Sequence, residues 1–324
     1  MLTKIHKQNP VGRPIILGCE GPTERLSSFV DKLLQPIAQS QKSYLKDTTH
    51  FINFKEKTKV PQNTILVSMD VTSLYTNIPQ EEGITTLCKA YENFHNYNPT
   101  IPSHHLKEML CLILKENSSQ FIGKNYLHTH GIAMGTKMAV AFTNIFMAEI
   151  ATKLIYQSNT KPIKWKRYID DIFSLWDSNI KEINLFIKQA NNFHPTIKFT
   201  AEISEIEITF LDTIMSKGER FRNESILDIR THYKPTETFQ YTHFTSSHPP
   251  GVKKGFIKGE ALRLLRTNSS ETAFNDSITN LSSQDDTNNV IRSQLRRKTV
   301  SNPTKSKSTE TNLAICHNIP PIGG

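Results

Sequence analysis

Residues 165–176 read WKRYIDDIFSLW, and the interpretation of their centre decides the fold. Trp165, Tyr168, Ile169, Ile172, Phe173, Leu175 and Trp176 are large and favour burial. Asp170 and Asp171 are adjacent carboxylates that repel each other. Two readings account for the pair. In one, the stretch is a β-hairpin with Asp at its tip because Asp suits turns. In the other, the pair belongs to a divalent-metal site, where a cation makes neighbouring carboxylates favourable. Residues elsewhere must decide between them.

The second informative string is ILVSMDVTSLYTNIP, residues 65–79. ILVSM is a short apolar strand that ends at Asp70, and the turn signals after it place that carboxylate at a sheet edge. Taken alone, Asp70 is an ordinary cap or turn residue. With Asp170 and Asp171, about a hundred residues downstream, it completes the three acidic groups that two-metal phosphoryl transfer needs. Magnesium is held by few protein carboxylates together with substrate phosphates, which suits so sparse a set.

The 324 residues allow one large domain or two small ones. A formal net charge of +9 and a pI near 9.2 favour a polyanionic partner, nucleic acid before membrane. Cys19, Cys88, Cys111 and Cys316 are scattered without a C-x-x-C pair. They read as reduced thiols of an intracellular protein, with no disulfide framework, disulfide-linked partner or zinc knuckle. MLTKIHKQNPVGRP lacks the apolar stretch of a secretory signal. No run is expected to span a membrane, since the most apolar segment, 131–150, is interrupted by Lys137 and Glu149.

Along the chain, FVDKLLQPIAQ predicts a helix that Pro36 kinks or stops. EEGITTLCKAYENF and HHLKEMLCLILKEN have helical spacing, NYLHTHGIAMGT is strand or loop, and MAVAFTNIFMAEIATKLIY is a helix. After the hairpin come a helix near INLFIKQANNF and two strands, IKFTAEIS and IEITFLDTIM. Helices alternating with strand pairs indicate an α+β layer rather than regular βαβ units. From Asn268 the composition turns to Asn, Ser, Thr, Asp and Lys, which predicts a polar linker or disordered tail over 269–324.

MDVTSLY, GIAMGTKMAVAFTNIF, RYIDDIF and TFLD occur in the order of the palm motifs of reverse transcriptases. The chain most resembles those of Penelope-like retroelements, relatives of the telomerase catalytic subunit. KIHK, GRPII and PTERLSSFVDKLLQP resemble that family's fingers, and TSSHPPGVKKGFIKGEALRLLR resembles its thumb. The resemblance covers about residues 4–270. It implies a right-hand polymerase fold, with partial fingers over 1–60, a palm with an antiparallel sheet over 61–228, and a basic, helical, thumb-like part over 229–268. The implied activity is RNA-directed DNA polymerisation by a nuclear retroelement enzyme, with an RNA template, a DNA primer, dNTPs and two Mg²⁺ or Mn²⁺ ions.

Carried over by residue, the resemblance makes Asp70 and Asp170 the principal metal ligands and Asp171 the second Asp of the pair. Tyr75 takes the position of the aromatic ring that rejects ribose; the plain alternative is a core Tyr beside Leu74. Arg13 takes that of the arginine on the incoming triphosphate, which a guanidinium fork suits. Gly131, Gly135 and Asn144 fall in the segment beside nucleotide and template, where glycine permits close approach. Lys198 takes the place of the general acid for pyrophosphate, or is an exposed strand lysine. Phe210, Leu211 and Asp212 match the strand pair near the primer, with Asp212 structural.

Residues 229–268 carry seven Lys or Arg, including Lys253, Lys254, Lys258, Arg263 and Arg266, among Tyr233, Phe239, Tyr241, Phe244 and Phe256. That mixture suits a surface tracking a nucleic-acid backbone, or a solvated basic face over an aromatic core. His128 and His130 lack partners for a metal site. Three departures stand out. Ala139-Val140 replaces a small residue followed by Pro, the region upstream of the fingers is short, and no GIY-YIG nuclease strings occur. They favour a second reading, a truncated, inactive copy that at most binds nucleic acid.

Overall fold

The computed structural model describes residues 2–3, 12–13, 20–235, 237 and 246–282. The side chains of residues 2–3, 12–13, 121, 253–254, 257 and 280–282 lie outside that description. The chain forms two compact units: one takes in residues up to Phe51 and Val60–Phe210, the other Ile52–Lys59 and Leu211 onward. Val30, Leu34, Ile37 and Ala38 share a core with residues 65–71, and residues 211–228 fall in the second unit.

The first unit begins with β1 (Leu2–Thr3), β2 (Gly12–Arg13), α1 (Glu24–Ser40), the start of α2 (Thr48–Glu56) and β3 (Ile65–Val71). There follow α3 (Leu74–Asn77), α4 (Gln80–Phe94), α5 (Ser103–Lys115), β4 (Ser118–Phe121), β5 (Lys124–Leu127) and α6 (Ala139–Gln157). It closes with β6 (Lys164–Tyr168), β7 (Asp171–Trp176), α7 (Ile180–Phe193), β8 (Phe199–Ser204) and β9 (Glu207–Phe210).

A four-stranded antiparallel sheet in the order β6-β7-β3-β8 forms the palm. The pleat sends alternate side chains to opposite faces. Ile65, Val67, Met69 and Val71 join Ile172 and Trp176 in a core with α1, α4, α5, α6 and α7. The other face carries Leu66, Ser68 and Asp70 opposite Leu175, Phe173 and Asp171. Phe51 and Phe210 pack against Phe173, which stands opposite Ser68, with ring centroids 5.1 and 5.6 Å from its own. The cover thins along β3: Leu66 is buried, Ser68 half-buried and Asp70 exposed. A sheet face shielded at one end and open at the other explains why carboxylates are tolerated only at the open end.

The first half of α6 is buried on nearly every side, with Phe142, Thr143, Asn144, Ile145, Phe146 and Met147 buried in succession. Such a helix belongs at the centre of a core. By length and composition it is enough to cross a membrane, contrary to the expectation from Lys137 and Glu149, yet two thirds of it is buried in protein (67%). α4 approaches it closely at Gly83, where a Cβ would stand 2.5 Å from the Phe142 ring.

Pro36 neither stops nor bounds α1, which continues to Ser40. Burial of Ile37 and Ala38 beyond it offsets the roughly 3 kcal/mol that an interior proline costs. The expected strand IEITFLDTIM is interrupted at Leu211, which adopts φ +54°.

The second unit contains β10 (Thr213–Ser216), α8 (Glu219–Glu224), β11 (Asp228–Thr231), α9 (Pro250–Thr267) and α10 (Glu271–Ser282). β10 and β11 pair antiparallel. Lys55, Glu56 and Arg220 form a charge cluster: Arg220 grips Glu56 at 3.1 and 2.8 Å, and the buried Lys55 ammonium lies 2.8 Å from Glu56 and donates to the Leu227 carbonyl. α10 overturns the expectation of a linker from residue 269. The Ser270 hydroxyl accepts from Ala273 N–H and starts the helix, and Asn268 bonds Leu264, Thr231 and Ser277. Among the described residues of this run, Asn268, Ser270 and Ser277 are caps and cross-links. Residues 283–324 lie outside the described residues.

Candidate active site at the end of strand β3

Pairing register builds the site. Asp70 of β3 stands opposite Asp171 of β7 and, on its other side, Thr200 of β8; Asp171 in turn stands opposite Tyr168 of β6. Directly opposed residues of antiparallel strands share a face. Tyr168, Asp171, Asp70 and Thr200 therefore form one row across the open end of the sheet. Asp170 occupies the β6–β7 turn, and its carbonyl accepts from Val71 N–H at 3.1 Å. The Asp pair is a hairpin tip, and the register sets it beside a third carboxylate.

The turn is strained and braced. Ile169 adopts φ +53°, a region that a β-branched residue rarely enters. Arg167, fully buried, donates from Nη1 to the Ile169 carbonyl and to Asn144 Oδ1, both at 2.8 Å, and from Nη2 to the Asn144 carbonyl at 2.7 Å. Burial lowers its pKa to about 10, against the pull of Asp170. Sequence reading passed over Arg167. Its signal was a cation in phase with Trp165 on the strand face turned toward the helices.

Tyr75 lies on α3, a single turn entered through Ser73 at φ +50°. Its ring is partly buried against the core, and burial, then Asp170 and Tyr168, push its hydroxyl up to about 12. It is therefore both a core residue and a neighbour of the carboxylates. Behind it, Ile132 N–H donates to the Tyr75 carbonyl at 2.7 Å, and Gln80 donates to the Gly131 carbonyl. Gly131 has φ +70°, and a Cβ there would stand 2.5 Å from the Tyr75 carbonyl oxygen. The close approach expected of this glycine is made to the protein's own backbone. Gly135, at φ +106°, follows in the same loop.

Lys198 is exposed and anchored to the protein's own backbone. Its ammonium donates to the Asn191 carbonyl at 2.6 Å and the His194 carbonyl at 2.9 Å, which caps the C-terminal end of α7. The Arg13 side chain is outside the described residues, as are those of Lys253 and Lys254 and all of Phe239, Tyr241 and Phe244. On α9, Lys258 and Arg266 are exposed. Arg263 is already engaged: Glu260 pairs with it, and its guanidinium lies 5.5 Å from the centre of the Tyr233 ring. Asp212 accepts from His232 N–H through its carbonyl.

Among the described residues, no three His, Cys, Asp or Glu side chains are gathered into a metal cage. The donors at the row are hard carboxylate oxygens on an open face, a set that suits Mg²⁺ or Mn²⁺ completed by substrate phosphates rather than a cage of protein ligands alone.

The fold is the right-hand fold of template-directed polymerases. It is similar to a telomerase from Candida albicans in complex with a fragment of telomeric RNA (TM-score 0.57, 9% identity, 86% of this chain and 47% of that one). It is similar also to the RNA-dependent RNA polymerase of a human picorbirnavirus (0.57, 8%, 82% and 51%) and to apo telomerase from Candida tropicalis (0.50, 12%, 82% and 51%). The chain spans about half the length of these proteins. No curated protein sequence matches it at a significant level. The family model described as reverse transcriptase (RNA-dependent DNA polymerase) matches residues 13–206, which take in the whole carboxylate row, and the chain belongs to that family.

Proposed function

We propose that this chain is the polymerase part of a Penelope-like retroelement protein, extending a DNA primer along an RNA template with dNTPs. The observation that carries the reading is the register: Asp70 opposite Asp171, with Asp170 in the adjoining turn. Asp70, Asp170 and Asp171 would hold two Mg²⁺ or Mn²⁺ ions, which supply activation of the primer 3′-hydroxyl and stabilisation of the leaving pyrophosphate. The exposed end of β3 leaves room for primer and triphosphate beside the carboxylates. Tyr75, neutral at any working pH, presents its ring near Asp170 and excludes a ribose 2′-hydroxyl by its bulk. Arg13 would contact the triphosphate, and the exposed Lys258 and Arg266, with Lys253 and Lys254, would follow the duplex backbone. A nuclear location goes with this reading.

The replacement of Pro by Val140 counts little against activity. Val140 sits exposed in the first turn of α6. Proline is favoured at such a position but not needed there. Primer extension by the purified chain on an RNA template, with dNTPs and Mg²⁺, tests the proposal. Extension by the wild type and its loss in Asp170→Asn, with template binding retained, is expected. A wild type that binds template–primer but never extends it would favour the inactive-copy reading. Extension by Asp170→Asn at the wild-type rate would remove Asp170 from the site.

A further inference from the structure

Among the described residues, Arg167 is a cation buried without a salt bridge. Its guanidinium reaches only neutral acceptors, the Asn144 side chain, the Asn144 carbonyl and the Ile169 carbonyl, and its Nε is buried with no hydrogen-bond partner. A buried charge held by dipoles alone is costly, and packing on its own would be served better by an apolar residue of similar length. What the cation does at this cost is local. It holds the carbonyl of the one strained residue in the hairpin tip, Ile169, and ties it to the middle of the core helix α6. The next residue is Asp170. Its carboxylate is also the one whose field favours the charged form of Arg167.

We propose that Arg167 is a positioning residue for the carboxylate row. By pinning the Ile169 carbonyl to Asn144 it fixes the left-handed turn that sets Asp170 and Asp171 against Asp70. This rests on reading those three carboxylates as the polymerase site. Arg167 touches no reacting atom; it acts through the turn. Asn144 shares the role, since it supplies two of the three acceptors.

Arg167→Lys keeps the charge and loses the planar fork, so it separates geometry from electrostatics. Three measurements on the full chain read it: amide exchange of Val71 and of residues 168–172 without metal, Mn²⁺ affinity by proton relaxation with template–primer bound, and dNTP kinetics. We expect faster exchange at the tip and Mn²⁺ affinity weaker by about tenfold, as when partners that orient metal ligands are removed. kcat should fall by a similar factor, with KM for dNTP little changed. Asn144→Ala, which removes the Oδ1 acceptor and keeps the backbone carbonyl, should show the same pattern more weakly, and the double variant should be no worse than Arg167→Lys alone, because both act on one linkage. Asn144→Ala also serves if Arg167→Lys does not fold. A lower Tm with tip exchange, Mn²⁺ affinity and kcat all at wild-type values would make Arg167 a packing residue only. Full activity in Asp170→Asn would instead remove the site on which the proposal rests; an inactive Asp170→Asn beside a wild-type Arg167→Lys overturns the role of Arg167 alone.

Discussion

Glu56 and Asp70 are both carboxylates near the end of a regular element, and their surroundings are opposite. Glu56, in the second unit, is enclosed by cations: the Arg220 fork on one side and the Lys55 ammonium on the other. Burial would raise its pKa, but Arg220 and Lys55 prevail and bring it down to about 2. Asp70, in the first unit, is exposed and has another carboxylate, Asp171, as its register partner. The first arrangement lowers the free energy of the fold. The second sets like charges side by side, which a bound cation would relieve. Glu56 stands among cations, whereas Asp70 stands beside a like-signed carboxylate at an exposed sheet end, as the proposed chemistry requires.

The largest stability effect should come from the matched region. Glu56→Gln leaves the Lys55 ammonium buried beside Arg220 and should destabilise the protein by about 3 kcal/mol. pH sharpens the comparison. With its folded-state pKa held near 2, against an ordinary 4.5, Glu56 contributes about 3 kcal/mol of stability above pH 4.5, lost as pH falls through about 2. Denaturant titration across that range should show a steeper acid loss in wild type than in Glu56→Gln. The carboxylate row should behave otherwise, with Asp170→Asn keeping or slightly raising Tm in metal-free buffer.

Tyr75 gives a smaller effect, in selectivity. Tyr75→Ala should raise kcat/KM for rNTPs relative to dNTPs by about tenfold or more. An unchanged ratio in an active variant would return Tyr75 to the core alone. The smallest effect lies in α9. Lys258→Ala and Arg266→Ala should each make log affinity against log salt shallower by just under one unit for a lost phosphate contact. Arg263→Ala, whose cation is already matched by Glu260, should leave that slope in place and lower Tm instead. Equal slope changes for all three would break the distinction between matched and available charge.

The carboxylate row was legible because it is local and periodic. ILVSMD and the YIDD hairpin each carry a strand pattern ending in Asp, and only pairing in register was needed to bring them together. Long-range hydrogen bonding was not legible. Lys198 looked available in an exposed strand, yet two helix carbonyls stand within reach of its ammonium. Gly131 looked made for a ligand, yet the α3 backbone is what approaches it. Pro36 failed as a helix stop because packing beyond it outweighs the lost bond. The Asn- and Ser-rich run after Asn268 read as linker because composition does not distinguish solvated polar groups from capping ones. Arg167 was overlooked because a buried arginine in a strand looks, in sequence, like any surface cation.

The central claim is that Asp70, Asp170 and Asp171 meet at one metal site. Fe²⁺ substituted for Mg²⁺ in the complex with template–primer and dNTP, with ascorbate and peroxide, generates radicals that cut the backbone next to the bound ion. Mass analysis of the fragments should find scission near residue 70 and again near 170–171, lost together in Asp70→Asn and suppressed by excess Mg²⁺. Cleavage confined to one of the two strands, or persisting in Asp70→Asn, would contradict the account.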